Sequence, residues 1–83
     1  MMDCKKIKQM IEEQLLGATV IVESQDKVHF AATVISDLFK DENLLKRQRR
    51  VYACLGDHIH NGDIHALTLK TWTQQEWENK NHG

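Results

Sequence analysis

Two β-branched runs split by three polar residues constrain this chain more than any other feature. Ala18 to Ser24 and Val28 to Ser36 both have strand character, and Gln25-Asp26-Lys27 between them is turn material. So short a connection allows only antiparallel pairing, and the two runs predict a hairpin. In the second run Phe30, Ala32 and Val34 fall on one face, which marks that face as the buried one.

Helical spacing brackets the hairpin. Asp3 is placed to cap a helix whose apolar residues Ile7, Met10, Ile11 and Leu15 recur at intervals of three and four, and Gly17 stands where a left-handed stop belongs. After the hairpin, Asp37 to Asp41 reads as a turn or one short helical loop. Asn43 then opens a strong helix. At about 100° per residue, Leu44, Leu45, Val51, Tyr52 and Leu55 project to one side, with Lys46, Arg47, Arg49 and Arg50 opposite. Gly56 or the Asn61-Gly62 pair ends it. Ile64 to Trp72 is a third strand, and because a helical connection precedes it, parallel pairing with a hairpin strand is open to it. Thr73 and Glu76 have capping-box spacing and start a last short helix carrying Trp77, with the polar tail 79–83 expected to fray. The predicted fold is α+β: a three-stranded mixed sheet with helices packed on one face, in the order αββααβα, the first of the paired central elements being the short helical loop.

At 83 residues there is room for a single domain, 1–83, and none for a deep enclosed cleft. The net charge of −1 gives no global pull toward nucleic acid or anionic lipid, so any such attraction is local. Cys4 and Cys54 form no C-x-x-C pair. The first residues lack the apolar centre of a signal peptide, and no apolar stretch is long enough to span a bilayer. These features predict a cytoplasmic protein with reduced, structural or incidental thiols and no membrane association. Nothing pairs a nucleophile with a base, couples two carboxylates or cradles a phosphate, so an enzyme is not expected.

His65 is the strongest candidate for chemistry. At the mouth of a strand its backbone is fixed while its imidazole points outward, and imidazole both titrates near neutral pH and binds transition metals. The plainer reading is a strand-end histidine bonded to a carbonyl. His29 opposes Phe30 in the alternation and faces solvent or the far side of the sheet, as filler or as a second ligand. His58-x-His60 reads as a solvated helix end, since alternate positions there diverge. The basic run is either a solvated face offset by Asp41 and Glu42 or a phosphate-contacting surface. Against the latter stand the near-neutral charge and the lack of a G-x-x-G clamp.

Five segments taken together carry a family likeness: His29-Phe30, Val34-Ile35-Ser36-Asp37-x-Phe39, Leu45-Lys46-Arg47-Gln48-Arg49-Arg50-Val51-Tyr52, Ile64-His65-Ala66-Leu67, and Thr71-Trp72-Thr73-x-x-Glu76-Trp77. In this order they resemble the BolA-like family, and the short hairpin loop is similar to that of its IbaG-like bacterial branch. The resemblance implies a class II KH-like fold. It implies pairing with a monothiol glutaredoxin, alone or around a shared [2Fe-2S] cluster with glutathione, and alternatively a DNA-binding regulatory role through the basic helix. His65 is then a cluster ligand, with no cofactor in the isolated chain, which alone is a monomer or weak homodimer. Two departures stand out. Relatives often have glycine where this chain has Asp41, and many short-loop relatives have a ligating cysteine where it has Asp26, whose oxygen suits such a cluster poorly.

Overall fold

The computed structural model describes residues 2–82. Helix α1 (Cys4–Gln14) is capped by Asp3, whose side chain accepts from the Lys6 N–H at 2.8 Å. Its one-turn repeat places Ile7 and Ile11 fully inside the core, followed by Leu15. Gly17 takes the left-handed φ of +84° that turns the chain into the hairpin. Strands β1 (Thr19–Glu23) and β2 (His29–Ile35) pair antiparallel, from Thr19 opposite Ile35 to Glu23 opposite Ala31. A 3₁₀ turn at Asp37–Phe39 follows, the Leu38 N–H met by the Ser36 hydroxyl, and it drives Phe39 wholly into the interior.

Asn43 caps α2 (Leu44–Leu55) through the Lys46 N–H, and Gly56 ends it at a φ of +53°. A single further turn, α3 (Asp57–His60), leads to β3 (Ala66–Trp72). β3 runs parallel to β2, from His29 beside Ala66 to Ile35 beside Trp72, so the sheet order is β1-β2-β3. The expected mixed sheet is what forms. Val20, Phe30, Ala32 and Val34 lie buried beneath α1 and α2, whose inner residues Ile7, Ile11, Val51 and Leu55 complete the core. Ile64, expected within the strand, precedes it and is buried in that core as an anchor.

The buried face of α2 differs from the expected one. Leu44, Leu45 and Tyr52 are exposed, Leu45 at 54% and Tyr52 at 38%, while Val51, Cys54 and Leu55 face inward. Arg47 lies on this inward side, its side chain only 13% exposed, and not on a free basic face. The helix tolerates this because every part of the guanidinium has a partner. Nε donates to the Glu42 carbonyl at 2.9 Å, Nη1 and Nη2 reach the two Glu76 oxygens at 2.6 and 3.1 Å, and the group rests 5.8 Å from the Phe39 ring centre. Apolar periodicity alone places the four leucine and tyrosine side chains together; satisfying one arginine rotates the helix instead.

Helix α4 (Gln74–His82) begins at the expected capping box, with Thr73 N–H on Glu76 and Glu76 N–H on the Thr73 hydroxyl. It continues through His82, past the expected fraying point at Asn79; Gly83 lies outside the described residues. Trp77 meets Trp72 edge-on at 6.1 Å, and the Lys80 ammonium lies 5.5 and 5.2 Å from the two ring centres. At Asp41, where the family resemblance leads to an expectation of glycine, the backbone is left-handed, at a φ of +63°. Aspartate is among the few side chains that enter this region at modest strain.

Two outcomes follow. Glu76 is held down at about 2 from its ordinary 4.5, first by the Arg47 hydrogen bonds and then by the Thr73 N–H. Folding lowers this value, so the contribution is whole above pH 4.5 and is lost as pH falls toward about 2. Arg47→Met is expected to cost about 1–2 kcal/mol at neutral pH, the low side of a charged hydrogen-bonded pair because Glu76 is partly solvated. Urea unfolding across that acid range should show variant and wild type converging. Asp41→Gly should raise stability by roughly 0.5–1 kcal/mol by relieving the left-handed strain, read as a shift in the urea midpoint with unchanged slope.

Candidate functional site

Parallel pairing brings the starts of β2 and β3 to one end of the sheet, and the hairpin loop closes over the same end. His29 opens β2 beside Ala66, and His65 is the residue immediately before Ala66. The imidazoles of His29 and His65 nevertheless occupy separate recesses. His65 is exposed and shares a recess of about 340 Å³ with Tyr52, Ile59, His60 and Leu67, on the side of α2 and α3. His29 shares one of about 400 Å³ with Glu23, Asp26, Ala31 and Thr68, across the hairpin.

The hairpin loop is built around Asp26. Its Oδ1 accepts from the Val28 and His29 N–H groups at 2.9 and 2.8 Å, and its Oδ2 lies 2.7 Å from His29 Nδ1. The His29 backbone N–H, then the His29 ring and the Val28 N–H, hold the Asp26 carboxyl well below the usual carboxylate range. Ser24 ties the loop further, donating to the His29 carbonyl and accepting from Lys27, which has a φ of +64°. Asp26, considered as a ligand because of its loop position, is thus spent on holding the loop and the His29 ring. An ionised carboxylate only accepts, so His29 Nδ1 carries the hydrogen of this bond.

A second imidazole–carboxylate pair was hidden in the sequence. His58 Nδ1 stands 2.8 Å from Asp63 Oδ2, and this bond lowers the Asp63 pKa. His58 and His60 were read as a solvated helix end, and only the fold brings residue 63 back onto residue 58. Unlike His29 and His58, His65 has no carboxylate partner among the described residues.

The basic run is divided. Arg47 is consumed by Glu76 and Arg50 by Glu42, whose two oxygens it meets at 3.0 and 2.6 Å, lowering the Glu42 pKa. Lys46 and Arg49 are exposed and border a shallow recess with Arg50, Glu42 and the end of α1. Cys54 is unsuited to metal: its thiol donates to the Arg50 carbonyl at 3.3 Å, and burial pushes its pKa up. Cys4 is half-buried in a recess with Met2, Lys27 and Phe30.

Among the described residues, no three histidine, cysteine, aspartate or glutamate side chains gather as a metal-holding group. What this end of the domain offers an iron–sulfur cluster is a nitrogen donor, His65, of a type such clusters accept beside sulfur. By itself His65 would supply one nitrogen ligand to such a cluster.

Comparison with known proteins places the chain. Residues 7–76 match the model of the BolA-like protein family. A bolA protein homologue from Coxiella burnetii is 44% identical in sequence, with a TM-score of 0.81 over 94% of this chain and 99% of its own. The DNA-binding transcriptional regulator BolA of Escherichia coli is 34% identical over 85 residues, 87% of this chain and 80% of its own length. The acid stress protein IbaG of the same bacterium is 33% identical over 70 residues, 81% and 83% of the two chains. The chain belongs to the BolA-like family.

Proposed function

We propose that this protein is a cytoplasmic adaptor, not an enzyme, that pairs with a monothiol glutaredoxin and shares a [2Fe-2S] cluster with it in iron–sulfur handling and stress response. The observation that carries this reading is His65: an exposed imidazole at a strand mouth, without a carboxylate partner, on a chain whose described residues assemble no metal group of their own. His65 supplies the nitrogen ligand, while the glutaredoxin cysteine and its glutathione supply sulfur. The exposed Tyr52 of α2, not Arg47, borders the recess that holds it. No helix among the described residues is long and apolar enough to cross a membrane. A stress role is in keeping with the similarity to a protein named for acid stress.

Co-expression with a monothiol glutaredoxin should yield a brown complex that His65→Ala bleaches. A complex that keeps its colour in His65→Ala would remove His65 from the cluster.

A second reading rests on the 34% identity to a DNA-binding regulator. The exposed Lys46 and Arg49 are its phosphate contacts, and Arg47 and Arg50 are committed elsewhere. Lys46→Ala with Arg49→Ala should reduce the slope of log affinity against log salt by about 2 for duplex DNA. An unchanged slope, or no binding by the wild type, removes this reading.

A further inference from the structure

His58 closes a loop immediately upstream of His65 with two bonds, one to Asp63 and one to Ile64. The His58 carbonyl accepts from the Ile64 N–H at 3.0 Å, and the His58 ring holds Asp63 at 2.8 Å. The segment between is also fixed: Asn61 N–H donates to the Asp57 carbonyl at 2.8 Å, and the Asn61 side chain accepts from the Asp63 N–H at 2.9 Å. Gly62 makes the turn at a φ of +85°, a conformation that favours glycine, and a Cβ built there would stand 3.7 Å from His65 Cε1. Ile64 is sunk in the core and Ala66 is registered against β2, so residues 63, 64 and 66 all have fixed partners. His65, between them, is exposed, its side chain in neither the core nor the His58–Asp63 pair.

From this geometry we propose that the His58–Asp63 clasp is a positioning device for the His65 imidazole, setting the direction in which its nitrogen meets the cluster carried by a partner. The inference rests on the ligand role given above to His65. The clasp touches neither cluster nor partner. It acts through the backbone of Asp63 and Ile64, and the turn at Gly62 leaves beside the imidazole a space that a side chain there would fill, as outer-shell groups orient ligands elsewhere. His58 is half-buried, Asp63 exposed, and neither belongs to the core, so both can be replaced without opening the interior.

The test uses the full chain with a monothiol glutaredoxin and glutathione. His58→Ala and Asp63→Ala should each alter the visible circular dichroism of the [2Fe-2S] complex and weaken cluster retention by about tenfold. Affinity for the cluster-free glutaredoxin should stay at the wild-type value. His58→Asn, whose amide nitrogen stands near the place of Nδ1, should restore both the spectrum and the retention. An unchanged spectrum in His58→Ala overturns the proposal. So does an equal loss of cluster-free binding, which would make the clasp part of the docking surface, and so does a failure of His58→Asn to rescue. If the wild type forms no coloured complex, the proposed function fails by itself. The clasp is then judged in the free protein: side-chain relaxation of a ¹³C-labelled His65 ring should show it ordered in wild type and loosened in His58→Ala, and equal order in both overturns the inference.

Discussion

The register of β3 against β2 is the constraint on which the rest of the structure depends. β2 is the central strand, antiparallel to β1 on one side and parallel to β3 on the other. Parallel pairing cannot be closed by a tight turn; the chain must cross over and begin again at the end where β2 began. That crossover is α2 and α3, and its consequence is that the hairpin loop, the first residue of β2 and the residue before β3 all meet at one end. A slip of one residue would exchange the sheet faces of β3, burying Thr68 and Lys70 in place of Leu67 and Leu69. The register thus fixes core and candidate site together.

Arg47 shows how a buried charge can decide the orientation of a helix. A guanidinium moved out of water is tolerable only when its donors are met, and four elements contribute here: the segment before α2 with Glu42, α4 with Glu76, the 3₁₀ turn with Phe39, and the last turns of β3 with the Thr71 carbonyl at 3.5 Å. The consequence for function is subtractive. A run that looks like a continuous basic surface leaves Lys46 and Arg49 as its exposed, unpaired members, and the side of α2 turned to solvent carries Leu45 and Tyr52 beside them. A surface that mixes apolar side chains with a few cations is suited to a protein partner at least as well as to a phosphate backbone.

What was legible in the sequence follows the range of the forces involved. Local signals read correctly: the Asp3, Asn43 and Thr73 caps, the three-residue break of the hairpin, and the three strands to within two residues. Each is decided by neighbours a few positions away. The errors lie where distant residues meet. Arg47 and Glu76 are joined across 29 positions, so projection of α2 by hydrophobicity alone turned it toward the wrong leucines. The left-handed Asp41 shows the converse, a backbone shape held by the surrounding fold without the residue that favours it. At the site, His65 stood out through its place before a strand. The work of Asp26 did not, although an aspartate three residues before a histidine in a turn is the spacing at which its carboxylate reaches the following N–H groups.

His29, His58 and His65 are distinguished among the imidazoles of this end by what meets the ring. A carboxylate on Nδ1 fixes the orientation of a ring, which suits a group that must hold a loop shut. His29 and His58 are of this kind, each tied to a carboxylate within its own loop, and each therefore stiffens a segment flanking the sheet end. His65 has no such tie among the described residues, so its ring nitrogens are left to an incoming partner. The clasped loop beneath it fixes the backbone that carries and aims the ring before association. A ligand shared between two molecules gains from that preparation, because a slack loop would add its ordering cost to every encounter.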